Sequence, residues 1–277
     1  MKIFTTEDIR AIDRQTIEKE GVTALQLIER AADGIVNEIV SRWRPTKRTV
    51  VFAGPGNNGA DALAVSRQLV EQGYAPDIYL FNIGGNRLSH ECRVCRDALL
   101  QLDGVNFTEV TGTFTLPELT RSHLVIDGLF GSGLKEPLMG GFKTLVRYIN
   151  ESEATVVSID VPSGMFGDWN KGAINSDIVH ATLTLSFEFP RLAFMMKENA
   201  ELVGKWKLLD IGLNTEAIRR TPTNFQIVDA VGARRLLKPR PDFCSKADFG
   251  NALLVAGSYG MMGPALFAAS GALRSGF

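Results

Sequence analysis

Three glycine-rich segments of this 277-residue chain each carry an aspartate: GPGNNGAD at 54–61, DGLFGSGLKEP at 127–137 and DVPSGMFGD at 160–168. Carboxylates move protons or hold cations, and glycines let backbone N–H groups approach phosphate oxygens. In the first segment Asn57 and Asn58 add two carboxamides. Asp61 falls in the first turn of an expected helix, whose free N–H groups attract anions. The combination is a polar cradle suited to a pyrophosphate, a ribose or a cation.

Gly54, Gly56 and Gly59 also satisfy G-x-G-x-x-G directly after an apolar run. A dinucleotide-dependent redox fold needs small or apolar residues between its second and third glycines. It also needs an acid about 20 residues on, at the end of the next strand, to hold the ribose hydroxyls. Here Asn57 and Asn58 fill the middle positions, Asn82 ends the next strand, and Asp77 stands at that strand's start. The match is weak evidence for hydride transfer.

The elements that must position these segments follow from periodicity. Apolar or β-branched runs at 49–53, 78–81, 105–110, 124–126, 155–159 and 183–187 predict strands. Helical patterns at 61–72, 89–102 and 142–149 lie between them. Thr5 and Asp8 form a capping box for a first helix reaching about Lys19. A second helix carries Leu27, Ile28, Ala31, Ile35, Ile39 and Trp43 on one face and stops before Pro45. Strand–helix alternation predicts an α/β fold, a mainly parallel sheet covered on both faces, with ligands at the carboxyl ends of the strands. The three segments are therefore expected to meet at one edge.

Composition narrows the function classes. Thirty basic and 31 acidic side chains give a net charge of −1, which provides no pull toward nucleic acid or a membrane surface. The N-terminal MKIFTTEDIRAIDRQ lacks an apolar signal core, and no apolar run is long enough to span a bilayer. Three cysteines make no disulfide framework, which fits a reducing cytoplasm.

GPGNNGAD, DGLFGSGLKEP and SIDVPSG, in this order, resemble the NAD(P)H-hydrate epimerases, the YjeF N-terminal domain family, over roughly residues 1–220. The resemblance implies a Rossmann-like three-layer αβα sandwich. It implies epimerisation at C6 of hydrated NADH or NADPH, cofactors damaged by addition of water to the nicotinamide ring. It further implies that Asp160 is the substrate-contacting general acid/base, and that Asn58, Asp127 and Ser163 hold a monovalent cation, potassium. The dinucleotide-contacting loops would be Asn57, Asn58, Gly59, Ala60 and Asp61, then Gly131, Ser132, Gly133, Leu134, Lys135, Glu136 and Pro137. Family members often self-associate, so a homo-oligomer is expected. The alternative readings are that Asp160 and Asp127 cap their turns and that 131–137 is a plain glycine turn. The family's first motif ends GGDG, whereas Ala60 and Ala62 stand here. If position 60 requires a positive φ, the alanine costs about 1–2 kcal/mol.

A second resemblance begins at residue 243. FCSKADFGNALLVAGSYGMMGPALFAASGALRSG looks like the opening of the ADP- or ATP-dependent NAD(P)H-hydrate dehydratase domain, a ribokinase-like α/β fold, approached through Lys238–Pro241. Residues 221–277 are thus expected to be linker plus a fragment, too short to bury that core or to dehydrate anything. A longer bifunctional protein would carry both activities.

Other residues carry less. Cys92 and Cys95, with His90 nearby, form a C-x-x-C with no second pair and read as ordinary helix cysteines. His123 and His180 lack partner signatures, and Met195–Met196 suits packing or a lid. Arg191 stands where the family often has lysine, keeping the charge but not its geometry. Three readings remain: an epimerase, a catalytically silent binding or scaffold module of the same fold, and a Rossmann oxidoreductase.

Overall fold

The structure, a computed structural model, describes residues 1–85, 87–170, 174–237, 241–245, 248 and 250–275. The chain forms two compact units, 2–227 and 228–277 together with Met1.

The first unit is built on a seven-stranded sheet, every neighbouring pair parallel. Its strands are β2 (Arg48–Ala53), β3 (Asp77–Phe81), β4 (Asn106–Val110), β5 (His123–Gly128), β6 (Thr155–Ile159), β7 (Leu183–Phe187) and β8 (Lys205–Leu209), in the order β4-β3-β2-β5-β6-β7-β8. The chain runs outward from β2 on one side and from β5 on the other. The β2/β5 boundary is therefore the switch point at which such sheets bind ligands.

Helices α2 (Ala24–Arg42), α3 (Asn57–Glu71) and α4 (His90–Leu99) cover one face. Ile35, Ile39, Leu63 and Leu69 from α2 and α3 pack there on Val51, Leu124, Ile126 and Val157. Helix α5 (Gly141–Glu151) covers the other, where Leu145, Val146 and Ile149 meet Val50, Phe52, Val125 and Val156. The alternation of these sheet residues is the period-2 pleat of strands buried on both faces. Helix α1 (Thr6–Glu20) rests on a smaller core of Phe4, Ile9, Ile12, Leu27, Phe189, Ile211 and Leu213. Strand β1 (Lys2–Ile3) pairs antiparallel with β9 (Phe225–Gln226), which carries the unit through Ile227.

Three local outcomes differ from expectation. Strand β8, KWKLL, shows no alternating apolar signal because it is an edge strand with its first three residues exposed. Helix α3 starts at Asn57, four residues before the apolar periodicity does, so Ala60 lies within its first turn. Among the described residues only Asp160 and Glu188 combine a side chain with a positive φ, and Ala60 carries no strain of that kind.

In the second unit Asp229 caps α8 (Ala230–Leu236), accepting from the Gly232 N–H at 2.6 Å, and α9 spans Gly263–Ser275. Phe243, Leu253, Val255, Tyr259 and Phe267 are exposed, as befits a segment that buries no core of its own. Lys238, Pro239 and Arg240 of the expected approach lie outside the described residues, as do Lys246, Ala247, Phe249 and Gly276 of the second resemblance.

Candidate functional site

The first glycine-rich turn leaves β2 and is crossed at once by the second. A Cβ at Gly54 would collide with the Leu129 carbonyl oxygen, and one at Gly59 with the Gly54 carbonyl oxygen. The Gly54 N–H donates to the Gly128 carbonyl at 3.0 Å. These glycines are needed for close backbone approach, not for phosphate contact alone.

The second turn is tied to the third through Asp127, which is fully buried. One of its oxygens accepts from Ser158 Oγ (2.8 Å) and the Ser163 N–H (2.9 Å), the other from Ser163 Oγ (2.5 Å). Burial pushes this carboxyl above its usual range, and the Ser163, Ser158 and Leu129 donors oppose the shift. Ser163 Oγ also receives the Phe130 N–H at 2.9 Å.

Asp160 follows β6 in the left-handed region, at φ 67°. Its N–H donates to the Leu185 carbonyl at 2.8 Å. Glu188 does the same one strand over, at φ 55°, with its N–H on the Leu209 carbonyl. Non-glycine residues held there store on the order of 1–3 kcal/mol and cluster at functional sites. The Asp160 Oδ1 accepts from Arg191 Nη2 (2.6 Å) and Nε (2.9 Å), and Oδ2 accepts from the Ser132 N–H (2.7 Å). Arg191 is only 5% exposed, and its Nη1 has no partner.

Above these turns lies a cavity of about 930 Å³. Asn57, Asn58, Asp61, 131–137, Asp160 and Arg191 line it, so the three turns converge as expected. Gly59 and Ala60 are buried in the first turn of α3 and do not belong to the wall, because that helix starts earlier than its apolar pattern. Asp127 and Ser163 are buried outside the lining, where they brace the turns.

The fourth wall is α1, which the three motifs do not announce. Thr6, Ile9, Arg10 and Asp13 recur at i, i+3, i+4 and i+7 and face the cavity together. A polar stripe beside the apolar Ile9 and Ile12 is the signal that marks them. Asp168 fixes the helix by accepting the Thr6 N–H at 3.0 and 3.2 Å, a carboxylate at a helix N-terminus. The Thr5–Asp8 capping box adds to this. Phe187 completes the wall.

Besides the exposed Glu136, two carboxylates of the lining, Asp13 and Asp61, accept no hydrogen bond among the described residues. Burial pushes Asp13 up to about 6, with Arg191 opposing the shift and Asp160 and Glu188 reinforcing it. Burial, Asp160 and Asp13 push Asp61 well above its usual range. Arg10 and Lys135 bring positive charge to the same wall.

The Asn58 carboxamide spans the Ile159 carbonyl and the Gly131 N–H, 3.3 Å from each. In one orientation it satisfies both. The opposite orientation sets Oδ1 against the Ile159 carbonyl and Nδ2 against the Gly131 N–H, so the first is the satisfied one, and a cation bound between the two oxygens would be needed to favour the second. Cys92 and Cys95 are buried thiols pushed up to about 12, chiefly by burial, and Cys92 Sγ points to the Gly54 carbonyl at 3.6 Å. They are packing residues, and no group of three or more His, Cys, Asp or Glu residues suited to a metal exists among the described residues. No helix among them is long and apolar enough to cross a membrane.

Comparison with known proteins agrees with this fold. A bifunctional NAD(P)H-hydrate repair enzyme of Thermofilum pendens is 32% identical over 280 residues, covering 100% of this chain and 52% of the relative. An NAD(P)H-hydrate epimerase of Lentilactobacillus buchneri is 30% identical over 211 residues, 76% of this chain and 94% of the relative. The crystal structure of yeast ynu0, YNL200c, shares the fold with a TM-score of 0.61 at 24% identity, covering 75% of this chain and 87% of that one. The chain spans about half the length of the bifunctional relatives it matches. The family model described as YjeF-related protein N-terminus matches residues 24–193, more than half of the sequence. The chain belongs to the YjeF-related N-terminal family.

Proposed function

We propose that this protein epimerises the R and S forms of hydrated NADH or NADPH at C6 of the nicotinamide ring, an isomerase activity of cofactor repair. The observation that carries this reading is the meeting of Asp13, Asp61, Asp160 and Arg191 in one cavity that also holds the glycine-rich 131–137 turn. C6 of the substrate bears both a hydroxyl and the ring nitrogen, so its configuration changes by reversible bond breaking at that carbon. That chemistry needs carboxylates and a fixed counter-charge, and it needs no hydride acceptor.

Asp160, held by Arg191 and the Ser132 N–H, contacts the reacting ring and fixes negative charge beside it. The backbone N–H groups of 131–137, with Arg10 and Lys135, receive the phosphates. Asn58, with the Ile159 carbonyl and the buried Asp127–Ser163 pair behind it, would hold potassium, whose charge offsets that of the carboxylates and phosphates. Self-association, a cytoplasmic setting and an ADP- or ATP-dependent dehydratase activity in a longer protein belong to the same proposal. The bifunctional names of relatives support a second repair activity, self-association and the ADP or ATP requirement rest on the family resemblance, and the cytoplasmic setting rests on the cysteine count.

The test is to supply one purified epimer of hydrated NADH and follow the other by chromatography. Conversion is expected, and Asp160→Asn is expected to abolish it. Binding of the hydrated dinucleotide without conversion would overturn the reading in favour of a silent module.

A further inference from the structure

Four carboxylates line the cavity, the exposed Glu136 and the mutually interacting Asp13, Asp61 and Asp160, and the environments of these last three differ in kind. Asp160 accepts three hydrogen bonds, two on Oδ1 and one on Oδ2. A carboxylate offers about four lone-pair sites, so three protein donors leave little room for a travelling proton. Asp13 and Asp61 accept none, yet they line the same cavity from α1 and α3. Beside them the almost fully buried Arg191 guanidinium retains Nη1 without a partner. A buried cationic donor left unpaired marks a place where a ligand oxygen completes the set.

We propose that Asp13 and Asp61 are the proton carriers of the epimerisation, Asp13 serving the C6 hydroxyl and Asp61 the ring nitrogen, while Asp160 with Arg191 is the fixed charge between them. This rests on the epimerase reading above. Asp13 takes the hydroxyl proton as the C6–O bond becomes a carbonyl. The C6–N1 bond breaks, its electron pair stays on nitrogen, and Asp61 delivers a proton there. Rotation about the C5–C6 bond presents the other face of the carbonyl to nitrogen. Nitrogen then re-forms the bond to C6, Asp61 recovers its proton, and Asp13 returns the first proton to oxygen. No electrons enter or leave, and each carboxyl ends as it began.

The two environments divide the roles. Asp13, at about 6, is mostly ionised near neutral pH and ready to accept, while the deeper burial of Asp61, beside Asp160 and Asp13, favours its protonated form. The charged groups that set Asp13 are Arg191, Asp160, Glu188 and Arg14, together with Asp61, with which it interacts.

The experiment compares the unaltered protein with Asp13→Asn, Asp13→Glu and Asp13→Ala on one purified epimer of hydrated NADH across a pH series, with thermal melts to establish folding. General acid–base groups contribute about 100- to 10,000-fold. Asp13→Asn is expected to lose about 100-fold or more in kcat, with KM changed less than about threefold. The acid limb of the kcat/KM profile near pH 6 is expected to vanish with it. Formate is expected to restore part of the Asp13→Ala rate, and chloride is not. Turnover by Asp13→Asn within a few-fold of the unaltered protein, with the acid limb in place, would overturn this inference alone. Absence of turnover in the unaltered protein would remove the epimerase reading and this inference together.

Discussion

The methyl group of Ala62 stands against the Cα of Gly128, so closely that a Cβ added at 128 would overlap it. The first helix after β2 and the end of β5 thus share one space, filled from the α3 side. Gly128→Ala is expected to destabilise the protein by about 1–3 kcal/mol through overpacking. Adding Ala62→Gly is expected to recover most of the loss, a coupling that urea denaturation of both single variants and the double variant would measure.

The Asp160–Arg191 pair is almost wholly shielded from water, with side chains 11% and 6% exposed. Removal of one partner leaves an uncompensated buried charge, and Arg191→Ala is expected to cost about 3–5 kcal/mol, read by chemical denaturation. Arg191→Lys loses the fork that places two donors on one oxygen. It is expected to fold but to turn over at least tenfold more slowly.

Asp13 carries a stability cost whose sign is opposite to that of a salt-bridged acid. Its carboxyl binds a proton more tightly in the folded protein than in the unfolded chain. Stability therefore falls as pH rises from about 4 to about 6, and the deficit persists above that window. Asp13→Asn removes it and is expected to stabilise the fold at neutral pH by about 1–3 kcal/mol while impairing turnover. The gain should disappear below about pH 4, which thermal melts in a pH series would detect.

If potassium occupies the Asn58 region, replacement of potassium by lithium or tetramethylammonium is expected to lower turnover severalfold. Asn58→Ala should abolish the difference between the salts. Ser163→Ala strips Asp127 of a charge-assisted bond and is expected to cost about 1–3 kcal/mol whatever the salt.

Most of the sheet was legible in the sequence because its central strands are short β-branched runs closed by glycine and aspartate, and Thr5–Asp8 announced α1 through its cap. Two things were hidden. Strand β8 lies at the edge, where lysines replace the apolar alternation, and the conformation of Ala60 depends on where α3 begins. The motifs also gave the floor of the site but not the wall. Arg10 and Asp13 lie on a helix more than 40 residues before the first glycine turn and reach the cavity only through the packing of Ile9 and Ile12 on a separate core. Arg191 was noticed for its charge, yet its fork onto one oxygen of Asp160 follows from the turn after β7, which no local pattern encodes.

The interlacing of the three turns has a mechanical consequence. Gly54 is locked under Leu129, Phe130 is bound to Ser163, and Ser132 is bound to Asp160. The floor therefore behaves as one rigid casting whose ordering is settled when the chain folds, and an arriving dinucleotide has little left to organise there. Adaptation to a differently shaped ligand would accordingly fall to the surrounding wall, where α1 contributes side chains that take no part in the interlaced bonds of the three turns.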